Sequence, residues 1–217
     1  MCIRDSFVAS VVFASCSVVR WTCTSHGSDA IIDPPHHRWR SSYVSDGMPG
    51  QIEPRRVAVA LAIDYDENRT DRALVMLVRS RKHSDKWVVP KGGIEKGESA
   101  REAAARELWE EAGVKVGKEA PPWGLDAEPV MHRDKRAHKK CPADLIDTPN
   151  MIPRAVYVLE EFRMHPSNVH DKWPEAHERE RQLFPLHEAI EHVSWREGMR
   201  ELIENARIVT SGFYKGT

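Results

Sequence analysis

Large and small apolar residues alternate in the first regular segment of the chain. From Val57 to Ile63 every second residue is bulky and the residues between are alanines. This pattern predicts a β-strand with one bulky face and one small face. The run from Ala73 to Val78 is apolar throughout and of strand length, which predicts a central strand buried on both faces. Trp87 to Pro90 predicts a further short strand, which the proline ends.

The strongest helical signal lies between Ser99 and Gly113. Ser99 is followed three residues later by Glu102, which is the spacing of a capping box at a helix start. The residues from Ala100 to Ala112 are good helix formers, and Gly113 supplies a C-terminal stop. The segment Lys91-Gly92-Gly93 precedes this helix. Its paired glycines predict a sharp bend, because glycine reaches backbone angles that are closed to other residues.

The second half of the chain contains a long loop and four regular segments. Gly117 to Pro153 is rich in prolines and basic residues, so it predicts mostly loop with one short strand near Val130. The regular segments that follow are predicted as strands at 154–164 and 182–186, and as helices at 187–192 and 195–206. The last helix is amphipathic, with Met199, Leu202 and Ile203 facing inward.

Length and charge limit the classes of protein to which the chain can belong. Its 217 residues, 41% hydrophobic and 30% charged, suffice for one domain of about 150 residues and some additional segments. A formal net charge of −1 argues against a protein that wraps nucleic acid. The longest apolar run, Phe7 to Val19, is interrupted by serines and too short to span a membrane. The four cysteines have neither paired spacing nor histidine partners, so neither zinc nor a disulfide framework is indicated.

Residues 1–47 differ in character from the rest of the chain. Arg4 and the apolar run after it loosely resemble a signal peptide. The alternative is that Met48 is the native start and the preceding residues are a translated leader, since they show no sustained period and include the linker-like run from Asp33 to Arg40. We expect a leader or disordered segment at 1–47, one folded domain at 48–210 and a tail at 211–217.

Three glutamates on the predicted helix are the first candidates for chemistry. Glu107, Glu110 and Glu111 stand at i, i+3 and i+4, so their carboxylates project from one face and repel each other. A solvated acidic face is the commoner explanation for such a pattern alone. The glycine-rich turn before the helix and the neighbouring Arg106, which can fix the direction of a carboxylate, favour a metal site instead. Oxygen ligands without thiolates or paired imidazoles indicate Mg²⁺ or Mn²⁺.

The spacing of these residues matches a known motif. Gly92 is followed after five residues by Glu98, and after seven more by Arg106-Glu107-Leu108-Trp109-Glu110-Glu111-Ala112-Gly113-Val114. These residues fill every defined position of the Nudix box. The chain therefore resembles the Nudix hydrolases, metal-dependent enzymes that cleave phosphoanhydride bonds. The resemblance covers about residues 55–206 and implies their α/β fold, a mixed β-sheet sandwiched between α-helices.

The resemblance also implies roles for the residues of the box. The implied metal ligands are Glu107, Glu111 and a backbone carbonyl of Lys91 or Gly92. Glu110 or a neighbouring glutamate would deprotonate the attacking water, and Arg106 would hold the carboxylates. Glu98 would support the loop or a further metal ion. Its alternative is an exposed acid at a helix start, where acids are favoured.

The residues around the box resemble one branch of the family. Trp87 to Gly93 and Lys172 to Glu175 are similar to segments of the diphosphoinositol polyphosphate and diadenosine polyphosphate hydrolases. Some members of that branch have one more residue than this chain between the first glutamate of the box and its arginine. The implied substrate contacts are Arg55, Arg56, Ser80, Arg81, Lys82, Gly93 and Arg181. The basic cluster between Arg133 and Lys140 could gather phosphates or be a solvated loop.

The sequence thus predicts an enzyme that hydrolyses diphosphoinositol polyphosphates, diadenosine polyphosphates or both. Its expected partner is a small polyphosphate substrate, and neither nucleic acid nor a membrane is expected. The expected location is the cytoplasm, with the nucleus as a further location. One alternative is a Nudix pyrophosphatase that acts on nucleotide sugars or cleans the nucleotide pool. An alternative of another class is a Nudix sensor that binds nucleotides without catalysis, although all the carboxylates of the box are present.

Overall fold

The structure is a computed structural model that describes residues 52–65, 73–117 and 129–210. The predicted leader at 1–47 and the predicted tail at 211–217 lie outside the described residues. Within them, no helix is long and apolar enough to cross a membrane.

The described residues form seven strands, four α-helices and two short 3-10 helices. The strands are β1 (Arg55–Asp64), β2 (Leu74–Arg79), β3 (Trp87–Val88), β4 (Lys91–Gly93), β5 (Val130–Arg133), β6 (Ala155–Arg163) and β7 (Arg181–Pro185). The α-helices are α1 (Ala100–Ala112), α2 (Leu186–Val193), α3 (Met199–Glu204) and α4 (Arg207–Thr210), and the 3-10 helices are Ala143–Leu145 and Pro166–Asn168.

The seven strands form one mixed sheet. Its main order is β3-β2-β1-β6-β5, and outside this order β7 also pairs with β2. The central pair β1 and β6 is parallel over nearly the whole of both strands, and the other pairs are antiparallel. One edge of β1 is shared between two partners, because β4 pairs with its first half and β2 with its last two residues. The predicted mixed α/β architecture is confirmed.

The alternation along β1 separates two hydrophobic cores. Its bulky residues Val57, Val59, Leu61 and Ile63 pack with residues of α2, α3 and α4 on one face of the sheet. Its alanines Ala58, Ala60 and Ala62 pack with residues of α1 on the other face. Because alanine side chains are short, α1 can pack close to the sheet, and its Glu107 and Glu111 reach the backbone of β4.

Two local predictions are wrong. The predicted helix at 195–206 begins only at Met199, because Gly198 takes a left-handed conformation with φ 77° and ends the preceding turn. The predicted inward residues Met199, Leu202 and Ile203 are nevertheless buried. The expected bend at Lys91 to Gly93 is the extended strand β4. Neither Gly92 nor Gly93 is among the described residues with positive φ, so these glycines are there for a reason other than turn geometry.

Candidate active site

Helix α1 is fixed at both ends, which sets the direction of its acidic face. At the start, the Ser99 hydroxyl accepts the backbone N–H of Glu102 at 3.2 Å, and the Glu102 carboxylate accepts the backbone N–H of Ser99 at 3.0 Å. At the end, Gly113 adopts φ 67° and donates its N–H to carbonyls of the last turn. The predicted capping box and glycine stop are confirmed, and together they hold the three glutamates in register with the sheet.

Strand β4 passes directly beneath one of these glutamates. A Cβ atom built on Gly92 would lie 1.9 Å from Oε1 of Glu107. A side chain at position 92 would displace the carboxylate of Glu107 from this position, so Gly92 allows the close approach of the carboxylate to the backbone. The strand thereby brings the backbone of Lys91 and Gly92 alongside the acidic face of α1, as a shared ligand site requires.

Arg106 ties the carboxylates together. It grips Glu98 with two hydrogen bonds of 3.0 and 2.9 Å, and it also donates to Glu107 at 2.7 Å and to Glu110 at 3.4 Å. Its remaining contact is the carbonyl of Gly93 at 3.0 Å. The hydrogen bonds from Arg106 lower the pKa of Glu98. Glu98 is therefore an ion-paired support for Arg106 rather than a solvated acid at the helix start.

Burial shifts the pKa values of the candidate metal ligands and of Lys91 beside them. Glu111 is buried, and its Oε2 accepts the backbone N–H of Lys91 at 3.0 Å. Burial raises the pKa of Glu107 and of Glu111 above that of an ordinary glutamate. Burial also lowers the pKa of the Lys91 ammonium to about 8, against the opposing effect of Glu111. Partly buried acids of like charge on one face favour the binding of a cation.

Two residues of the site, Arg179 and Glu175, had no role predicted from the sequence. Arg179 is buried and donates to Oε1 of Glu111, to Oε2 of Glu175 at 2.6 Å and to the carbonyl of Arg79 at 3.1 Å. Glu175 in turn accepts from Arg81 at 2.8 Å through its other oxygen. Glu175 ends the segment 172–175 whose resemblance to the polyphosphate hydrolases was noted, and Arg179 follows that segment, but no local pattern marked either residue as part of the site.

The oxygen atoms around α1 fit a hard divalent ion. Glu107 and Glu111 supply carboxylate oxygens, and the backbone of Lys91 and Gly92 lies beside them. Among the described residues, no group of three or more His, Cys, Asp or Glu side chains is arranged to hold a metal ion. Mg²⁺ in phosphoryl enzymes is typically bound by one or two carboxylates and completed by water and substrate phosphates, so a full protein cage is not needed.

Residues predicted to contact substrate lie in several places. The Arg55 guanidinium is 3.5 Å from the Cβ position of Gly93, and Arg56 next to it is exposed. Ser80 accepts the backbone N–H of His83 at 3.3 Å in the loop after β2. Lys82 in the same loop is exposed. The basic groups at 55–56 therefore lie beside β4, whereas those at 80–82 follow β2.

Two predicted substrate contacts are engaged by other groups. Arg81 pairs with Glu175 at 2.8 Å and with Glu178 at 2.7 Å. Arg181 donates to the carbonyl of Ala112 at 2.7 Å and stacks on the Trp173 ring, with 4.2 Å from its guanidinium carbon to the ring centroid. Arg181 thus secures the C-terminal end of α1, and its role as a substrate contact stays a prediction.

The basic cluster between 133 and 140 is partly neutralised. Arg136 forms two side-chain hydrogen bonds of 3.0 Å with Asp134, which lowers the pKa of Asp134. Arg133 donates to the carbonyl of Met151 across the loop. Lys139 and Lys140 are exposed. Two of the arginines therefore brace the loop, and a phosphate-binding role for the cluster stays a prediction.

Comparison with known protein families gives a match over most of the chain. A family model described as NUDIX domain matches residues 54–206. Nudix hydrolase 21, chloroplastic, of Arabidopsis thaliana is 32% identical over 154 residues, which are 69% of this chain and 65% of that protein.

Other relatives match over shorter segments. Diphosphoinositol polyphosphate phosphohydrolase 2 of Rattus norvegicus is 56% identical over 41 residues, 19% of this chain and 23% of that protein. Diphosphoinositol polyphosphate phosphohydrolase 3-alpha of Mus musculus is 54% identical over 56 residues, 26% of this chain and 33% of that protein. The chain thus spans about a quarter to a third of the length of these curated relatives.

Solved structures that match part of this chain include the Ap4A hydrolase of C. elegans. It is 18% identical, with a TM-score of 0.40, and the match covers 70% of this chain and 94% of that one. The dihydroneopterin triphosphate pyrophosphohydrolase of E. coli is 20% identical, with a TM-score of 0.43, and the match covers 73% of this chain and 99% of that one.

Proposed function

Since the chain belongs to the NUDIX family and is a hydrolase, we propose that it cleaves phosphoanhydride bonds in diphosphoinositol polyphosphates, diadenosine polyphosphates or both. The reaction would use Mg²⁺ or Mn²⁺ at the carboxylates of α1. The proposed location is the cytoplasm, with the nucleus as a further location. The substrate class is supported by the distribution of cationic groups around those carboxylates.

The residues of α1 divide the chemical tasks among them. Glu107, Glu111 and a backbone carbonyl of Lys91 or Gly92 would hold the divalent ion, which when bound neutralises charge on the phosphates and on the leaving group. Glu110 takes the proton from the attacking water, because its carboxylate lies on the same face and is part-exposed. Arg106 fixes the distance between the carboxylates of Glu107 and Glu110, since one of its nitrogens donates to both.

Cationic groups stand at both ends of this row of carboxylates, and this observation supports an extended polyanionic substrate. At the Glu107 end, Arg55 lies beside Gly93, whose carbonyl accepts from Arg106. At the Glu111 end, the exposed Lys82 lies in the loop after β2, and the last residue of that strand accepts from Arg179, which donates to Glu111. A substrate with several phosphates can span such a row, whereas a single pyrophosphate has no use for cations at both ends.

The names of the short-segment relatives agree with this proposal. Proteins called diphosphoinositol polyphosphate phosphohydrolases are 54–56% identical to this chain, over 41 to 56 residues. Because those matches span only part of each protein, the choice of substrate rests mainly on the cations.

A substrate panel with Mg²⁺ tests the proposal. It should include a diphosphoinositol pentakisphosphate, diadenosine polyphosphates, ADP-ribose and an oxidised nucleoside triphosphate. We expect the highest kcat/KM on the first two classes. We expect Arg55→Gln and Lys82→Gln to raise KM on those substrates with little change in kcat, as loss of uniform binding does. Arg200→Gln, on a part-exposed arginine of α3 paired with Glu191, is the matched control.

Two results would favour the rival functions. The highest kcat/KM on ADP-ribose or on the oxidised nucleotide would replace the proposed substrate by a nucleotide-type one. Tight binding of a nucleotide without hydrolysis of any substrate would indicate a sensor.

A further inference from the structure

Arg179 is the most enclosed cation of the site. Only 9% of the residue is exposed, and its guanidinium reaches three acceptors on three parts of the fold. They are a carboxylate oxygen of Glu111 on α1, a carboxylate oxygen of Glu175 and the backbone carbonyl of Arg79 at the end of β2. An arginine held in three directions is fixed in position before any substrate or metal arrives.

Arg179 and the backbone of β4 together restrain both oxygens of Glu111. Oε1 accepts from Arg179, and Oε2 accepts the backbone N–H of Lys91 at 3.0 Å. A carboxylate bonded through both oxygens cannot rotate about its terminal bond without losing one of the two. Each oxygen still has a free lone pair, so the carboxylate can accept a metal ion in the direction that the two donors leave open.

We propose that Arg179 is a positioning residue that holds Glu111 in its metal-binding orientation, and that Glu175 holds Arg179. This inference rests on the proposed function, because it assigns the orientation of a ligand of the proposed metal. Partners behind a ligating carboxylate fix its direction and raise metal affinity without touching the metal. The support extends one step further, because Arg81 donates to the second oxygen of Glu175.

The burial of Arg179 distinguishes this role from substrate binding. A cation that contacts a phosphate must present its N–H groups to the cleft, as the exposed Arg55 and Lys82 can. Arg179 instead uses its Nε and both terminal nitrogens on groups of the protein. It therefore acts on the reaction through Glu111.

Binding of Mn²⁺ to the intact protein without substrate tests the proposal directly. Free Mn²⁺ is measured by electron paramagnetic resonance for wild type and Arg179→Gln. We expect the variant to bind Mn²⁺ about 10-fold more weakly, as loss of the group that orients a ligand does. Arg101→Gln is the matched control, because Arg101 also pairs with a buried carboxylate, that of Glu160 at 3.1 Å, but lies outside the site. Mn²⁺ affinity in Arg179→Gln equal to or tighter than in wild type would overturn the proposal.

Two further measurements separate positioning from a general structural effect. In a Glu111→Gln background, Arg179→Gln should produce no additional loss of Mn²⁺ affinity, since the group to be positioned is gone. An equal loss in both backgrounds would contradict the proposal. With substrate, Arg179→Gln should lower kcat and leave KM within about twofold, whereas a residue that contacts substrate would raise KM.

Glu175→Gln provides a second test that does not depend on the folding of the Arg179 variant. It retains the shape of the side chain but weakens its hold on Arg179, so a loss of Mn²⁺ affinity of about threefold is expected, smaller than the 10-fold loss of the arginine variant. Unchanged affinity in a folded Glu175→Gln protein would remove Glu175 from the proposal. Failure of wild type to bind Mn²⁺ would instead refute the proposed function, so the two failures are distinguishable.

Discussion

The carboxylate of Glu107 fills the space that a side chain on Gly92 would need, since a Cβ atom on the glycine would lie 1.9 Å from Oε1 of the glutamate. This contact explains the glycine that opens the Nudix box in this chain. The residue is extended rather than bent, and its value is the absence of a side chain. It allows α1 to bring an acid against the backbone that is the candidate for a further metal ligand.

Gly92→Ala is therefore predicted to displace Glu107 and to weaken Mn²⁺ binding by about 10-fold or more. Gly93→Ala is the control for the same change in the same strand, because the nearest atom to its Cβ would be the Arg55 guanidinium at an ordinary 3.5 Å. Titration of both variants by electron paramagnetic resonance measures the difference. Equal Mn²⁺ affinity in the two variants would show that the contact does not matter for the metal.

The ion pair of Glu98 with Arg106 predicts a pH-dependent contribution to stability. The folded pKa of Glu98 is lower than that of a free glutamate because Arg106 donates to it. The pair therefore stabilises the fold at neutral pH, and the contribution disappears as the pH falls from about 4.5 through the folded pKa. Glu98→Gln should have a lower melting temperature than wild type at pH 7, and the gap should close in acid. A gap independent of pH would exclude this origin.

Two glycines in the left-handed conformation flank α1, one before its start and one after its end. Gly97 and Gly113 have φ values of 83° and 67°, but only Gly113 is crowded, with a Cβ that would lie 2.9 Å from the Trp173 ring. Gly97→Ala should cost about 1 kcal/mol, the strain of a left-handed alanine. Gly113→Ala should cost about 2 kcal/mol or more, because the Trp173 and Arg181 side chains must also move. Urea denaturation measures both costs, and equal values would show that the crowding is relieved freely.

Local patterns in the sequence were sufficient to predict much of the fold. The alternation from Val57 to Ile63 fixed both faces of β1, since one face of a strand repeats every second residue. The capping box at Ser99 and the stop at Gly113 defined α1, since both act within a few residues of the helix ends. The shared face of the three glutamates followed from the helical period.

Features that depend on distant residues could not be predicted in this way. Arg179 meets Glu111 across 68 positions of sequence, and nothing in its neighbourhood distinguishes it from a surface arginine. The reason for Gly92 was also hidden, because the space that it leaves is filled by a residue of another element. Arg181 was predicted as a substrate contact from the resemblance, and only its hydrogen bond to the carbonyl of Ala112 in the structure reveals its support of α1.

The carboxylates of α1 and a divalent ion together carry out the proposed hydrolysis. The most direct test follows phosphate release from a diphosphoinositol pentakisphosphate with Mg²⁺, in wild type, Glu110→Gln and Glu111→Gln. Glu188→Gln, an exposed glutamate of α2, is the control for the same chemical change elsewhere. We predict a fall in kcat of about 10²-fold or more in the two α1 variants, full activity in the control, and loss of wild-type activity when EDTA removes the metal. Wild-type rates in both α1 variants, or hydrolysis that persists in EDTA, would contradict the account.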